Sequence, residues 1–186
     1  MNTDSSSNSK KIPTVNTKET SLWITVCSLF IFLLFSSCDK NRIYEKNIAV
    51  DKYEWSSNAV PQFAVEVSDT AILYNLYVNI RHADLYPFQN IWLLVGTQFP
   101  DGSRTSRRIE IMLANDEGKW FGEGLGDIWD FRSMIQENAF FTERGTYLFT
   151  LEQNMRQDPL PGIMAVGFRI ENTGIRRSQT SPPQSK

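Results

Sequence analysis

The stretch Asn75-Leu76-Tyr77-Val78-Asn79-Ile80-Arg81 alternates between aliphatic residues and polar or aromatic ones. A β-strand places successive side chains on opposite faces of its sheet, so this period of two predicts a strand with Leu76, Val78 and Ile80 on a core. The same period recurs in four further segments, which are 63–68, 108–113, 147–152 and 166–171. The chain should therefore be built from strands that each bury one face.

The segments between these strands look like turns and not like helices. Residues 100–103, 115–118, 143–145 and 158–162 are rich in Pro, Asp, Asn and Gly, the residues that turns favour. Residues 91–95 are continuously apolar and predict a central strand. Many short strands joined by turns predict an all-β fold, a single antiparallel β-sandwich of the jelly-roll or immunoglobulin-like type over residues 44–172. The polar segment 173–186 is predicted to be a disordered tail.

Residues 127–139 fit two patterns. Ile128, Phe131 and Ile135 could form a helical face after an N-cap at Asp127, whereas Trp129, Phe131 and Ser133 could alternate in a strand. We favour the strand.

The N-terminal region predicts export. Residues 22–35 form an apolar run of 14 residues. A helix that spans a bilayer needs roughly 20 residues, whereas the apolar part of a signal peptide needs about 7–15. We therefore predict that residues 1–37 are a cleaved signal peptide and that no permanent transmembrane anchor is present.

Ser36-Ser37-Cys38 follows this run and predicts lipoprotein processing. Processing needs a small residue before the cleaved bond and a thiol directly after it, which here means cleavage between Ser37 and Cys38. The Cys38 thiol would then carry diacylglycerol and the new amine a fatty acyl group such as palmitate. Residues 38–43 would be a lipidated tether that keeps the domain close to the membrane.

Charge and cysteine content limit the remaining possibilities. The net charge is −2, and it becomes −3 once residues 1–37, with three lysines and two acids, are removed. Such a domain does not predict nucleic-acid binding, and without a polybasic patch its membrane attachment should depend on the acyl chains. Cys27 leaves with the signal, so the mature chain has no second thiol for a disulfide or a cysteine metal site.

The mature sequence offers few catalytic candidates. His82 is its one histidine and could belong to a nucleophile triad, but a structural role is the simpler interpretation. Asp127 and Asp130 could serve as the paired acids of a glycosidase, although acids near turns are usually solvated. Residues 122–126 resemble a phosphate loop without its spacing, and 115–118 lack the alternating acids of a calcium loop. We predict no enzyme activity, no cofactor, no metal site and no small-molecule substrate.

The tryptophans have two interpretations. Large aromatic side chains usually belong to a core, and we expect this for Trp92. For Trp55, Trp120 and Trp129, a core position and an exposed glycan-binding or protein-binding face remain equally open.

Four long segments resemble the gliding-motility lipoprotein GldH family. They are 38–45, 74–93, 122–128 and 145–164, and the resemblance extends over about residues 38–172. It implies an envelope lipoprotein that supports gliding motility, as a structural or assembly component linked to type IX secretion and to other gliding lipoproteins. The expected location is the outer membrane, facing the periplasm. The alternative is a glycan-binding envelope lipoprotein, which a row of exposed Trp rings along one sheet would favour.

Two loops are candidates for partner binding. Segments 81–90 and 154–162 each follow a well-patterned strand, and each combines arginine, proline and an aromatic or Met residue. We hypothesise that they lie at the same end of the sandwich. The candidate contact residues are Arg81, His82, Tyr86 and Arg156, although the arginines could instead only pair with nearby acids.

Overall fold

The computed structural model describes residues 40–177 as strands joined by short loops. One 3₁₀ turn lies at Asp51–Tyr53, and no helix within the described range is long and apolar enough to cross a bilayer. The strands are β1 (Arg42–Ala49), β2 (Glu54–Trp55), β3 (Gln62–Val67), β4 (Ile72–Ala83), β5 (Asn90–Gln98), β6 (Arg104–Met112), β7 (Glu123–Leu125), β8 (Ile128–Ala139), β9 (Gly145–Gln153), β10 (Leu160–Pro161) and β11 (Ile163–Arg176).

The strands form two main antiparallel sheets. The larger sheet has the order β1-β11-β4-β8-β7, the smaller one has the order β3-β9-β5-β6, and β10 pairs with β2 in a short ribbon. Both sheets turn their apolar residues toward one shared core, so the predicted β-sandwich is confirmed.

Aromatic side chains join the two layers. Phe168 of β11 stacks on Phe149 of β9 with ring centroids 4.5 Å apart, and it also contacts Phe63 of β3. Val78 and Ile80 are buried beside them, as the alternation in β4 predicts. Large apolar side chains of this kind supply most of the burial that stabilises a β-sandwich.

The sandwich has two distinct ends. Asn41 accepts a hydrogen bond from the backbone of Asn172, so the chain enters at the end formed by loops 68–71, 99–103 and 140–144 and by residues 172–177. We call this the proximal end. The opposite, distal end consists of 50–61, 84–89, 113–122, 126–127 and 154–159. Strand β4, with 12 residues, runs from the proximal end to the distal one, a length of about 40 Å at ~3.3 Å per residue.

The bounds differ from the predicted ones in three places. Strand β1 begins at Arg42, inside the predicted tether, and β11 continues to Arg176, inside the predicted tail. Strand β4 continues to Ala83, so the following loop is 84–89. Residues 127–139 form strand β8 from Ile128 onward, which confirms the strand interpretation. The predicted signal peptide and Cys38 lie outside the described residues, as does segment 178–186.

Candidate functional site

The two loops chosen from the sequence meet at the distal end, which confirms that part of the hypothesis. The backbone N–H of Ala83 donates to the Gly162 carbonyl at 2.8 Å, directly before loop 84–89 begins. Gly162 has a φ of +81° and lies against Tyr86, where a Cβ would come within 3.1 Å of the Tyr86 Cα. Only a glycine combines this backbone conformation with so close an approach.

His82 and Tyr86 do not belong to a contact surface, which corrects two of the four candidates. Both are buried, and their rings pack on each other with centroids 5.7 Å apart. The His82 ring also meets the Trp120 ring edge-on at 4.6 Å, while the Tyr86 hydroxyl donates to the Asn90 carbonyl at 2.9 Å. The two residues therefore support the distal loops from below.

Burial determines the ionisation of both side chains. It lowers the pKa of His82, against an opposing hydrogen bond between Nδ1 and the Ala83 carbonyl at 3.0 Å. Because the Ala83 carbonyl can only accept, a neutral His82 must carry its proton on Nδ1. Nε2 is then a buried acceptor without a hydrogen-bond partner among the described residues. Burial likewise raises the pKa of Tyr86 far above its ordinary value. The site thus holds His82 and Tyr86 as neutral, packed rings.

Arg81 is exposed but already paired. It lies on the outer face of β4, where Nε and Nη2 donate to the two carboxylate oxygens of Asp130 at 2.8 and 2.9 Å. This bidentate pair raises the pKa of Arg81, yet both side chains are half exposed, so the pair adds little stability. It also gives Asp130 an ion-pairing role, and nothing in its contacts indicates acid–base work with Asp127.

Arg156 differs from Arg81 in its surroundings. It is exposed in loop 154–159. Within residues 40–177 the structure shows no hydrogen bond or ion pair for it. Asp158 of the same loop accepts from the backbone and hydroxyl of Ser57, and Gln153 donates to it as well, so the loop is fixed to its surroundings. Arg156 remains a candidate contact residue on a well-supported loop.

An apolar cluster at the distal end escaped the sequence analysis. The side chain of Asp84 accepts from Trp120 Nε1 at 2.7 Å and from Trp129 Nε1 at 3.3 Å. Leu85, the next residue along the chain, is 72% exposed, and Leu125, directly before the turn that contains Asp127, is 87% exposed. Their loops are joined, because the Asp84 N–H donates to the Asp127 carbonyl at 2.7 Å. We call these five residues, Asp84, Leu85, Trp120, Leu125 and Trp129, the distal cluster.

A tight hairpin presents Leu125. Strands β7 and β8 are joined by the two residues Gly126-Asp127, and Gly126 has the positive φ that such turns require. Gly124 has no room for a side chain, since a Cβ would lie 2.8 Å from the Trp129 ring. The glycines of 122–126 thus shape a hairpin, as the turn interpretation held. The signal that could have revealed Leu125 is a lone leucine between two glycines.

The tryptophans do not form a row on one sheet. Trp55 is buried and donates to the Ala59 carbonyl, so it belongs to the core. Trp92 is half-buried on the outer face of the smaller sheet with Arg108 4.2 Å above its ring, which corrects its predicted core position. Trp120 and Trp129 are half-buried around Asp84. The arrangement that would favour glycan binding is not found among residues 40–177.

The outer face of the larger sheet carries a second polar region, a groove of about 370 Å³. At its centre Glu45 accepts from Asn79 at 2.9 Å, from Arg132 at 2.9 Å and from Arg169 at 2.6 Å. Partial burial alone would raise the pKa of Glu45. The hydrogen bonds from Arg169, Asn79 and Arg42 outweigh burial and lower it. Arg169 is itself buried and also donates to Glu171. Because Glu45, Arg132 and Arg169 bind one another, we assign the groove a structural role.

Residues 115–118 form a turn. The Asn115 carboxamide oxygen accepts from the backbone N–H groups of Glu117 and Lys119, and Gly118 has a φ of +79°. These contacts use Asn115 to close a hairpin, as the sequence analysis favoured over a calcium loop.

The two ends differ in charge. The distal segments contain the acids Asp51, Glu54, Asp84, Asp116, Glu117, Asp127 and Asp158 and the bases Lys52, Lys119 and Arg156. The proximal segments contain the acids Asp69, Asp101 and Glu143 and the bases Arg144, Arg176 and Arg177. The distal end is therefore acidic with a net charge of −4, whereas acids and bases balance at the proximal end.

Comparison with known proteins identifies the family. A family model described as GldH lipoprotein matches residues 42–170, which contain nearly all of the sandwich. A gliding motility lipoprotein GldH homolog of Christiangramia forsetii is 34% identical over 152 residues, which cover 78% of this chain and 93% of that protein. The gliding motility lipoprotein GldH of Flavobacterium johnsoniae is 33% identical over 150 residues, covering 77% and 92%. On this evidence the chain belongs to the GldH lipoprotein family of gliding-motility lipoproteins.

Proposed function

We propose that this protein supports gliding motility as a structural or assembly component linked to the type IX secretion machinery. Family membership implies a lipid-anchored protein of the cell envelope, and the names of its relatives support the motility role. The exposed distal cluster is the observation that carries the assembly role. The proposal includes no catalytic step, no cofactor and no metal.

The anchor in this proposal is Cys38, acylated after cleavage behind Ser37, with the domain facing the periplasm from the outer membrane. The fold supports this arrangement, because the chain enters at the proximal end while the distal cluster lies at the other end of β4. Two or more acyl chains hold a protein stably on a membrane. The distal end would then point away from the bilayer and be accessible to another envelope protein.

The chemistry of the distal end favours a protein partner. Exposed leucines on well-supported loops suit contacts with another apolar surface, and clustered apolar exposure often marks interaction sites. The surrounding charge of −4 favours a partner with basic residues around its own apolar patch. Such a partner could be another gliding or secretion lipoprotein.

The test is the double variant Leu85→Asp with Leu125→Asp, expressed in the native host. Both side chains are exposed, so the protein should fold and accumulate normally. We expect colony spreading to be lost, or type IX secretion in a host that does not glide. Met134→Asp is the matched control, because Met134 is also an exposed apolar residue of the larger sheet but lies in the middle of β8, opposite Tyr77 and away from the distal end.

The readouts are lipoprotein abundance, the thermal midpoint of unfolding, and spreading or secretion. Lost function at normal abundance, with a functional Met134 control, would support a distal binding surface. Normal function in the double variant would contradict it. Lost abundance would return the two leucines to a folding role.

A further inference from the structure

The proximal end also presents exposed apolar side chains, and they lie close to basic ones. Phe140 is 52% exposed and Ile175 is 53% exposed. Arg177 places its guanidinium carbon 4.2 Å above the Phe140 ring, and Arg176 pairs with Ile72 across the sheet. We call Phe140, Ile175, Arg176 and Arg177 the proximal patch.

The structure fixes this patch in place. The Arg177 N–H donates to the Ala71 carbonyl at 2.7 Å, and the Ile175 N–H donates to the Thr173 hydroxyl at 3.1 Å. That hydroxyl in turn donates to the Leu73 carbonyl at 2.9 Å, which ties the end of β11 to the start of β4. The apolar groups are therefore held outward by a bonded end of the larger sheet.

The part of the chain that the structure describes begins at this end. Asn41 bonds to Asn172, and Cys38 precedes Lys40 by two residues. An acylated Cys38 would hold the proximal end at the membrane surface.

We propose that the proximal patch lies on the surface of the bilayer that holds the anchor, with Phe140 and Ile175 among the headgroups and the two arginines beside lipid phosphates. This inference rests on the acylation of Cys38 in the proposed function. It changes the expectation from the sequence that acyl chains alone make the membrane contact. The fold brings together side chains that are separated along the chain.

The chemistry of the patch suits a bilayer interface. Arginine places its apolar stem along a hydrophobic surface and keeps its charge in the polar region, as Arg177 does over Phe140. Apolar side chains beside basic ones are typical of protein surfaces that rest in the headgroup layer. At this end the carboxylates of Asp69 and Asp101 are engaged by Ala71 and Ser103, while the Glu143 side chain is solvated.

The charge difference between the ends selects the same orientation. A bilayer with anionic lipids repels the distal end, which has a net charge of −4, more than the proximal end, where acids and bases balance and two arginines lie in the patch itself. The field decays within about 10 Å at 0.1 M salt, so only the end nearest the membrane experiences it strongly. The distal cluster stays beyond its reach.

The experiment places one fluorescent label at either end of the full, lipidated chain. Ile175→Cys and Leu125→Cys each replace an exposed aliphatic residue, and both accept a thiol-reactive, polarity-sensitive dye. The parent chain is the control, since an acylated Cys38 is the only cysteine after processing and takes up no dye. The proteins are reconstituted into vesicles of phosphatidylethanolamine and phosphatidylglycerol, some of which carry a headgroup-attached quencher.

We expect the label at position 175 to report an apolar environment and to be quenched severalfold more strongly than the label at 125. Equal, water-like signals at both positions on vesicle-bound protein would overturn the docking while leaving the anchor intact. A blue shift at 175 that follows the ratio of protein to lipid would indicate a second copy of the chain and also overturn it. A parent chain that takes up dye and stays in the supernatant would overturn the acylation, and the docking with it.

Discussion

Both ends of this sandwich expose large apolar side chains, but the two ends are built differently. At the distal end, Leu85 lies on a loop and Leu125 on a tight hairpin, and the loops rest on the buried rings of His82 and Tyr86 and the half-buried ring of Trp120. At the proximal end, Phe140 and Ile175 lie beside arginines on short segments next to the chain entry. The difference teaches that the surroundings of exposed apolar residues indicate what they contact. An acidic end suits a protein partner, and an end with arginines beside its apolar side chains, where the described chain begins, suits a lipid surface.

The largest effect is expected from Cys38→Ala. This change removes the acyl acceptor, so we expect complete loss of fatty-acid label and release from the membrane fraction. Without the acyl chains the domain is no longer oriented with its proximal end toward the membrane, so motility or secretion should fail. Metabolic labelling with an alkynyl fatty acid is the measurement, and Cys27→Ala, in the predicted signal segment, is the matched control. Label that persisted in the Cys38 variant would end the lipoprotein interpretation.

The second prediction compares ion pairs from the two halves of the larger sheet. Glu45→Gln removes one of the two carboxylates that compensate the buried Arg169, which keeps Glu171, so we expect the free energy of unfolding to fall by roughly 1–3 kcal/mol. Arg81→Ala, near the distal end, breaks a half-exposed pair and should cost about 1 kcal/mol or less. Denaturant unfolding of the mature chain measures both. Equal losses would show that burial does not distinguish the pairs.

The third prediction uses the buried His82 beneath the distal loops. Its folded pKa is lowered, so the unfolded chain binds the proton more readily and stability falls as pH drops below the ordinary value of about 6.5. The slope is at most about 1.4 kcal/mol per pH unit. Glu45 acts differently, because its lowered pKa contributes stability that is lost only below its ordinary value of 4.5.

His82→Phe keeps the ring contacts with Tyr86 and Trp120 and removes the titration. Thermal midpoints between pH 7 and pH 5 should therefore fall less in this variant than in the parent chain. If the thermal midpoints of the variant and the parent chain fell in parallel with pH, His82 would be protonated in the folded protein without loss of stability, and the prediction would be wrong. Glu45 does not affect this comparison, because its pKa is lowered from 4.5 and lies below the pH range of the experiment.

The smallest expected effect concerns the contact between Arg177 and Phe140. Arg177→Gln removes a cation–π interaction worth about 0.5–1 kcal/mol at an exposed site. We expect a barely lower thermal midpoint in solution. On vesicles of phosphatidylethanolamine and phosphatidylglycerol, the dye at position 175 should lose part of its shift. An unchanged dye signal would remove Arg177 from the proximal patch.

The sequence predicted the strands whose two faces differ. In β4, β9 and β11, aliphatic or aromatic residues alternate with polar ones because one face meets the core. Strand β1 was missed, since it lies at the sheet edge and places Lys46 on the same side as Tyr44 and Ile48. Strand β8 was ambiguous because Phe131 and Ile135 fit both periods, and only its pairing with β4 distinguishes them.

The candidate site was less predictable than the fold. Arg81 and Arg156 were placed on the surface correctly, but the burial of His82 depends on Trp120, which is far away in sequence. The distal cluster depends on Asp84 joining two indoles from separate strands and loops, a contact that no local pattern contains. Long-range contacts of this kind determine which polar residues a fold leaves at its surface.

The direction of β1 has a mechanical consequence. Its first residue, Arg42, lies at the proximal end, and the strand runs antiparallel to β11 as far as Ala49 at the distal end. A force between a lipid-held N-terminus and a partner on the distal loops would act along the strands. The hydrogen bonds of the β1–β11 ladder lie across that direction, so they would be loaded together in shear and would not open one after another. An edge strand loaded in this way would resist such a force with its whole ladder at once and would stay on its sheet.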